Sequence, residues 1–533
     1  MGKNYIKRMI IDGFKKFEYL DVVFNESMNI IVGANEAGKS TILEALDLVV
    51  SQTYKNSDKS NLLDLFNRTQ IDSFNEAPSV KTLPRIHIEL ELELDDKGRN
   101  SQWFLGEEYD KRFGEGDLRY GIKFTCEFDK ELGADIVEMI GKGMFPLEYY
   151  VLRWETFGGK AYAIQRKALS LMSVNTTAHP NTGVFPRFTR NLFCSKINEQ
   201  KALWHKTIFR DRVQKSIREL GLPKLAEERE FALDDKRLLL ENVLAVIDRG
   251  IPLECRGSGM ASLIKMRLIL DKKDDAHSDV ISIEEPENHL SYVSLRKMLE
   301  TIEKERADSQ IIIATHSNMI VSRLGVTNAL WIDEQDNIVK SLNSVSERTA
   351  EYFKRLDNSG LLDFILATKV ILVEGATEYL LLPMFYKIVN QRAMEEDGIT
   401  VISCSGVSFF RYLQVGLNLH NKVAVITDND GDSAKIKKIA EYNARNSSQQ
   451  VFTGNSPEDW TWEKCLYDAN KEKFDSILKL EEGAQYLYHG NDYGRELGYM
   501  LNHKTMVAEK ILSENVELTP PAYVKAALEW IGK

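Results

Sequence analysis

Cysteine is scarce in this 533-residue chain. The 5 cysteines, at 126, 194, 255, 404 and 465, are scattered, odd in number and form no Cys-x-x-Cys pair. Neither a disulfide framework nor a zinc site is therefore expected. No apolar run is long enough to span a bilayer. The opening residues MGKNYIKRMIIDGF lack the apolar core of a secretory signal, and Ile6 stands where a myristoylation signal needs Ser or Thr. The expectation is a soluble cytoplasmic protein with no membrane partner. Excess positive charge is missing too. The formal net charge of −11 argues against wholesale coating of nucleic acid and leaves room only for a local basic groove. The chain has no internal repeat and no low-complexity tract.

The length suffices for two or three domains, and the 43% of hydrophobic residues is enough to give each a core. MIIDGFKKF and LDVVF read as an antiparallel pair, and MNIIVG as a short buried strand ending in glycine. RIHIELELELDD alternates apolar and charged residues, which predicts a half-buried strand with one wet face, with GIKFTCEF beside it. Residues of about 130–250 mix loops with charged helical stretches such as KTIFRDRVQKSIREL and read as an inserted arm or dimerisation region. From about 280 onward, apolar strands alternate with helices, which predicts parallel sheets in α/β domains. The expected boundary near 345–368 gives a first domain over 1–360 and a second over 366–533.

Chemistry enters with GANEAGKST at 33–41, which follows the strand-like NIIV and precedes the helical ILEALDLVV. This is a full P-loop in its required strand–loop–helix setting. Gly33, Asn35, Gly38, Lys39, Ser40 and Thr41 are the nucleotide-binding candidates. Backbone N–H groups turn onto phosphate oxygens, Lys39 reaches the β- and γ-phosphates, and Ser40 holds Mg²⁺. A helix N-terminus adds partial positive charge. The matching acids are expected in VISIEEPE at 280–287. There Glu284 holds the metal and Glu285 polarises the attacking water. His316, past the strand-like IIIAT, is placed to sense the γ-phosphate. Between these motifs lies CRGSGMASLIKMRLIL. Its Ser258 and Gly259 resemble the signature turn of ABC-type ATPases, with Met260 where glutamine is common. That resemblance implies action in trans on the nucleotide site of a second protomer.

A second set of acids follows. VILVEGATE at 370–378 runs an apolar strand into Glu374 and Glu378, and KVAVITDNDGD ends in Asp428 and Asp430. In a parallel sheet the C-terminal strand ends share one edge, where ligands bind. Clustered carboxylates raise one another's pKa unless a cation neutralises them. Oxygen ligands of this kind suit Mg²⁺ or Mn²⁺, which can activate water for phosphodiester cleavage. Pro383 is expected to kink or delimit the helix that carries Glu378.

The strand end E-G-x-x-E followed by D-x-D resembles the Toprim domain. A P-loop ABC-type ATPase ahead of a Toprim domain resembles the overcoming-lysogenization-defect (OLD) family of nucleases, whose members include Gabija nuclease subunits and retron-associated effectors. The resemblance covers the motifs at 33–316 and 370–432, and not the middle region. It implies an α/β chain: an N-terminal ABC-type ATPase domain with a helical insertion, then a C-terminal Toprim domain with a helical part. It implies Glu463, in TWEKCLYD, as a further metal acid and Lys504, in NHKTMVAEKIL, as the base-bearing residue that offsets phosphate charge. It further implies ATP and Mg²⁺ (or Mn²⁺) as cofactors, DNA as substrate, homo-oligomers built through the ATPase part, a helicase or a reverse transcriptase with its RNA–DNA product as accessory partner, and a role in anti-phage defence.

Two other readings stay open. One is an SMC- or RecF-like ATPase that binds DNA or a partner and keeps its Toprim domain for structure or regulation. The intact acids count against it. The other is a topoisomerase or primase. The 20 tyrosines lie in no recognisable DNA-cleaving module, and the cysteine pattern denies a primase zinc site.

Overall fold

The computed structural model describes residues 3–55, 58–95, 100–114, 116–131, 136–163, 166–175, 188–190, 192–193, 197, 199–220, 240–270, 278–305, 309–334, 336, 338–356, 359–404, 408–417, 419, 421–514 and 516–533. The chain divides into two compact units, one of residues 1–320 and 328–343, the other of 321–327 and 344–533.

The first unit contains two large sheets. One is antiparallel, with Tyr5–Phe14 between Phe17–Val23 and Ile86–Glu93, then Arg119–Phe128; Tyr150–Thr156 also pairs with Arg119–Phe128. The other is mostly parallel, in the order Ile338–Ser341, Ala329–Asp333, Met28–Val32, Gln310–Ala314, Val280–Glu284, Leu171–Asn175. The helix Lys39–Ser51 touches strands of both sheets and buries Ile42, Leu43, Leu46, Leu48 and Val49. Its last carbonyls have no partner within the helix. Trp154 Nε1 donates to Leu48 O and Tyr162 Oη to Val50 O. At the far end of the unit, the side-chain amide of Gln310, wholly buried, clasps the peptide of Ile6. It accepts from Ile6 N at 2.9 Å and donates to Ile6 O at 2.8 Å, across 304 residues of chain.

Two expectations change here. The polar face of Ile86–Glu93 is dry at its centre, where Glu89 and Glu91 are buried, and wet only toward its ends, where His87 is half-buried and Glu93 exposed. Glu91 is met by Arg119 at 2.8 Å and Lys7 at 3.1 Å, while Glu89 is bound to His87 and to the Asp110 N–H. Charge alternation marks a wet face only when no other strand brings a counter-charge. The stretch expected as an arm also supplies sheet strands, Tyr150–Thr156 and Leu171–Asn175, both short and of mixed polarity. Farther on, Glu199–Glu219 is a helix. Residues 132–135, 164–165, 176–187, 191, 194–196, 198 and 221–239 of the expected arm, Cys194 among them, lie outside the described residues.

The second unit is built on a four-stranded parallel sheet in the order Ile399–Ser403, Lys369–Val373, Lys422–Ile426, Gln449–Phe452. Val373 and Ile426 are register partners, so the residues that follow them leave the sheet side by side. The helix Ala376–Asn390 continues through Pro383 instead of ending there. It packs with Lys504–Ser513 and Ala522–Gly532 over a core containing Phe385, Trp462 and Phe474. Among the described residues, no helix is long and apolar enough to cross a membrane.

Candidate functional site

At the P-loop, the sequence dictates a tight turn onto a buried helix. Gly38 has φ +99°, and a Cβ there would meet the Phe17 ring at 2.3 Å, so only glycine fits. Lys39 is 6% exposed. Its ammonium donates to the carbonyls of Gly33 and Ala34 at 3.0 and 2.9 Å. Burial lowers its pKa to about 8, against the pull of Glu285 and Glu287. Asn35 is exposed at the loop tip, Ser40 is exposed and Thr41 half-buried.

Val280–Glu284 runs parallel to Gln310–Ala314 and delivers its acids beside the loop. Burial raises the Glu284 pKa, opposed by a hydrogen bond from Ser40; Asn175 Nδ2 donates to Glu284 Oε2 at 2.5 Å. Glu285 takes a left-handed φ of +44°, a conformation that costs a non-glycine residue energy. Its N–H bonds Ala314 O, and Asn288 Nδ2 holds its carboxylate at 2.5 Å. Burial, then Lys39, lowers the pKa of His316, which favours the neutral ring. Lys39, Ser40, Glu284, Glu285 and His316 thus come together, above a cleft of about 350 Å³ lined in part by Ser40, Asn175 and Glu284. Ser258, exposed, begins the helix Ser258–Leu270. A Cβ on Gly259 would meet His289 O at 2.2 Å, so this turn leans on the loop after Glu285.

Sequence reasoning missed Glu287 and Asn175. Glu287 Oε1 accepts from Thr315 Oγ1 at 2.7 Å and from His316 N at 2.8 Å, which fixes the backbone under His316. The signal was in view, as the last letter of EEPE. Asn175 had none, because LMSVN is short and mixed in polarity and carries no clear strand pattern.

In the second unit, Glu374 and Asp428 leave neighbouring parallel strands, and Glu378 sits in the first turn of Ala376–Asn390. Thr427 Oγ1 donates to Glu374 Oε1. Asp428 accepts from Trp462 N at 2.7 Å and Thr461 Oγ1 at 2.8 Å. Glu463, 4% exposed, has Thr461 Oγ1 at 2.8 Å and Lys504 Nζ at 2.9 Å on one oxygen. Burial, with Asp428 and Glu463 adding, raises Glu378 to about 7. Burial, with Glu463 and Glu374 adding, raises Asp428 to about 6. Burial works against charged Lys504, yet Glu463 and Asp428 hold its pKa above the ordinary lysine value. Glu374, Glu378, Asp428, Glu463 and Lys504 therefore share one electrostatic neighbourhood. Asp430 does not join it. Its side chain is 70% exposed and pairs with Lys435 at 2.7 Å. Thr461, which no sequence signal marked, links Asp428 to Glu463.

This donor set fits a hard divalent cation. Burial and neighbouring acids raise Glu378 and Asp428, a cost to the charged carboxylates that an arriving cation relieves. Among the described residues, no three acidic, histidine or cysteine side chains form a ready-made cage.

The family model of the AAA domain matches residues 8–357. The model described as overcoming lysogenization defect protein-like, TOPRIM domain, matches residues 365–430. None of the curated proteins matches the chain. Among solved structures, the SMC head domain from Thermotoga maritima is 15% identical, covers 61% of this chain and 93% of its own, with a TM-score of 0.30. The recombination mediator RecF is 13% identical over 64% of this chain and 98% of its own, TM-score 0.33. The C-terminal region of the Burkholderia pseudomallei OLD protein is 19% identical over 31% of this chain and 97% of its own, TM-score 0.22.

Proposed function

Because the chain belongs to the AAA domain family over residues 8–357 and carries an OLD-like Toprim domain at 365–430, we propose that it is an ATP-hydrolysing, divalent-metal-dependent DNA endonuclease of the OLD type acting in anti-phage defence. The observation that carries this reading is the edge where Glu374, Glu378, Asp428 and Glu463 gather beside Lys504. The domain boundaries fall at 1–360 and 366–533 in this proposal.

Glu374 and Asp428, with Glu378 and Glu463 behind them, would hold Mg²⁺ or Mn²⁺. Such an ion lowers the pKa of bound water and clamps phosphate oxygens. Lys504 faces the scissile phosphate and offsets its charge. Thr461 and the Trp462 N–H keep Asp428 oriented. Asp430, tied to Lys435, stays outside the set. In the ATPase half, Lys39 would leave its loop carbonyls for the β- and γ-phosphates of ATP, Ser40 and Glu284 would hold Mg²⁺, Glu285 would orient the attacking water, and neutral His316 would read the γ-phosphate. Ser258 and Gly259 close the site of a second protomer, which makes the chain a homo-oligomer. The reading is tested by nicking of plasmid DNA in Mg²⁺ and in Mn²⁺, with and without ATP. Intact plasmid in every arm, with any required partner present, would overturn it.

A further inference from the structure

The peptide 460–463, Trp-Thr-Trp-Glu, does more than hold the acids. Thr461 and Glu463 turn inward to Asp428 and Lys504, and Trp462 is 1% exposed in the core. Trp460 turns the other way. Its ring lies near parallel to Tyr488, with centroids 6.3 Å apart and planes at 27°, and 5.4 Å from Tyr493. The three stand outside the core cluster around Phe385 and Trp462. Trp460 and Tyr488 are half-buried and Tyr493 is 37% exposed. A hairpin, Leu487–Tyr488 paired with Asn491–Asp492, presents the tyrosines. Its turn residues His489 and Gly490 both have positive φ, the geometry of a rigid two-residue hairpin loop.

The aromatic group borders the acidic edge through Thr461, the neighbour of Trp460, whose hydroxyl donates to Asp428. Trp460 O accepts from Asp430 N at 3.1 Å, and Tyr488 lies within electrostatic reach of Lys504. Beyond Asp430, the helix Ser433–Asn443 carries Lys435, with Lys437 and Lys438 exposed. Half-open aromatic faces beside a lysine-bearing helix and a phosphate-facing lysine are the combination that holds unpaired nucleic acid, with rings for bases and ammonium groups for the backbone. A paired duplex keeps its base faces stacked inside and leaves such rings unused.

We propose that Trp460, Tyr488 and Tyr493 form a stacking platform for an unpaired base next to the scissile phosphate, so that the strand entering this site is single-stranded at the cut. The inference rests on the nuclease reading of the same edge. Its test is nevertheless a binding measurement, made in EDTA so that no strand is cut. Fluorescence anisotropy of the full chain compares a labelled oligo-dT, a duplex of equal length and an oligonucleotide of abasic sites. Oligo-dT should bind about tenfold or more tighter than the abasic strand, as loss of a stacked base brings. Trp460→Ala and Tyr493→Ala should erase that difference, and Trp460→Phe should keep most of it, which separates lost stacking from misfolding. Equal binding of oligo-dT and abasic strand, or full oligo-dT affinity in both alanine variants, would overturn the platform. The two readings fail separately. Platform-dependent binding without cleavage in Mn²⁺ sinks the nuclease reading alone. Cleavage and binding indifferent to Trp460 and Tyr493 sink the platform alone.

Discussion

The two sites of this chain are electrostatic opposites produced by one cause. In the P-loop, burial lowers Lys39 to about 8, and the ammonium makes do with two carbonyls of its own loop. On the Toprim edge, burial raises Asp428 to about 6 and Glu378 to about 7. Each half holds charge at a disadvantage that its ligand relieves: an anion in one, a cation in the other. The construction also differs. The P-loop binds largely through backbone of a single stretch, whereas the acidic edge draws side chains from segments near 374, 428, 463 and 504.

The strongest way to break the comparison is to exchange losses between the halves. Asp428→Ala should lower DNA cleavage by about a hundredfold or more and leave ATP hydrolysis nearly unchanged. Lys39→Ala should do the reverse to hydrolysis, with the fold intact by circular dichroism. Undiminished nicking by Asp428→Ala, with any required partner present, would remove the acidic edge from the chemistry. Next in size is Glu285→Gln. Loss of the group that polarises water should slow hydrolysis by about a hundredfold while the phosphate cradle survives, so the purified variant should retain ATP on a desalting column. In that background, small-angle scattering with and without ATP should report a changed arrangement of protomers. One identical profile would argue against a role in trans for Ser258 and Gly259.

A pH series sharpens the contrast, because the two affinities should slope in opposite directions. The cation needs carboxylates, and Glu378 and then Asp428 take up protons as pH falls through about 7 and about 6. Mn²⁺ affinity without nucleotide should therefore fall with pH there, by about tenfold per unit for each proton displaced. The nucleotide needs charged Lys39, which loses its proton above about 8, so affinity for a fluorescent ATP analogue should fall as pH rises past that point. Calorimetry and fluorescence titration measure the two limbs. Parallel slopes would mean that these groups do not face the ligands. The smallest expected effect is on stability: Gly38→Ala forces a Cβ against Phe17 at positive φ and should cost about 1–3 kcal/mol, read as a lower melting temperature.

The same difference in construction explains what could be read from the chain alone. GANEAGKST was legible because a P-loop is contiguous and needs only glycines, a lysine and its flanking elements. Glu374, Glu378 and Asp428 were legible as acids at the ends of apolar strands, and the parallel sheet brings those ends together. Glu463 and Lys504 came only through family resemblance, since nothing local ties a helix-start acid to a lysine 41 residues on. Asp430 reads like its neighbour Asp428, yet its side chain turns out to Lys435. Glu287, Asn175 and Thr461 escaped because their importance lies in whom they bond, which tertiary packing decides. Ile86–Glu93 differs from its alternating pattern for the same reason: the counter-charges for Glu91 come from Lys7 and Arg119 on other strands, and Glu89 is bonded to the His87 ring and the Asp110 N–H.

The clasp of Gln310 on the Ile6 peptide sets a timetable for synthesis. The first strand leaves the ribosome early, but the amide that satisfies its N–H and C=O follows 304 residues later, and the parallel partner of the P-loop strand, Gln310–Ala314, arrives with it. At about 5–20 residues per second, Met28–Val32 waits on the order of 15 to 60 seconds with both edges open, because its neighbours Gln310–Ala314 and Ala329–Asp333 are both late. A nascent chain shorter than this lacks both His316 and the strands that flank the P-loop strand, so the candidate nucleotide site is assembled only late in synthesis.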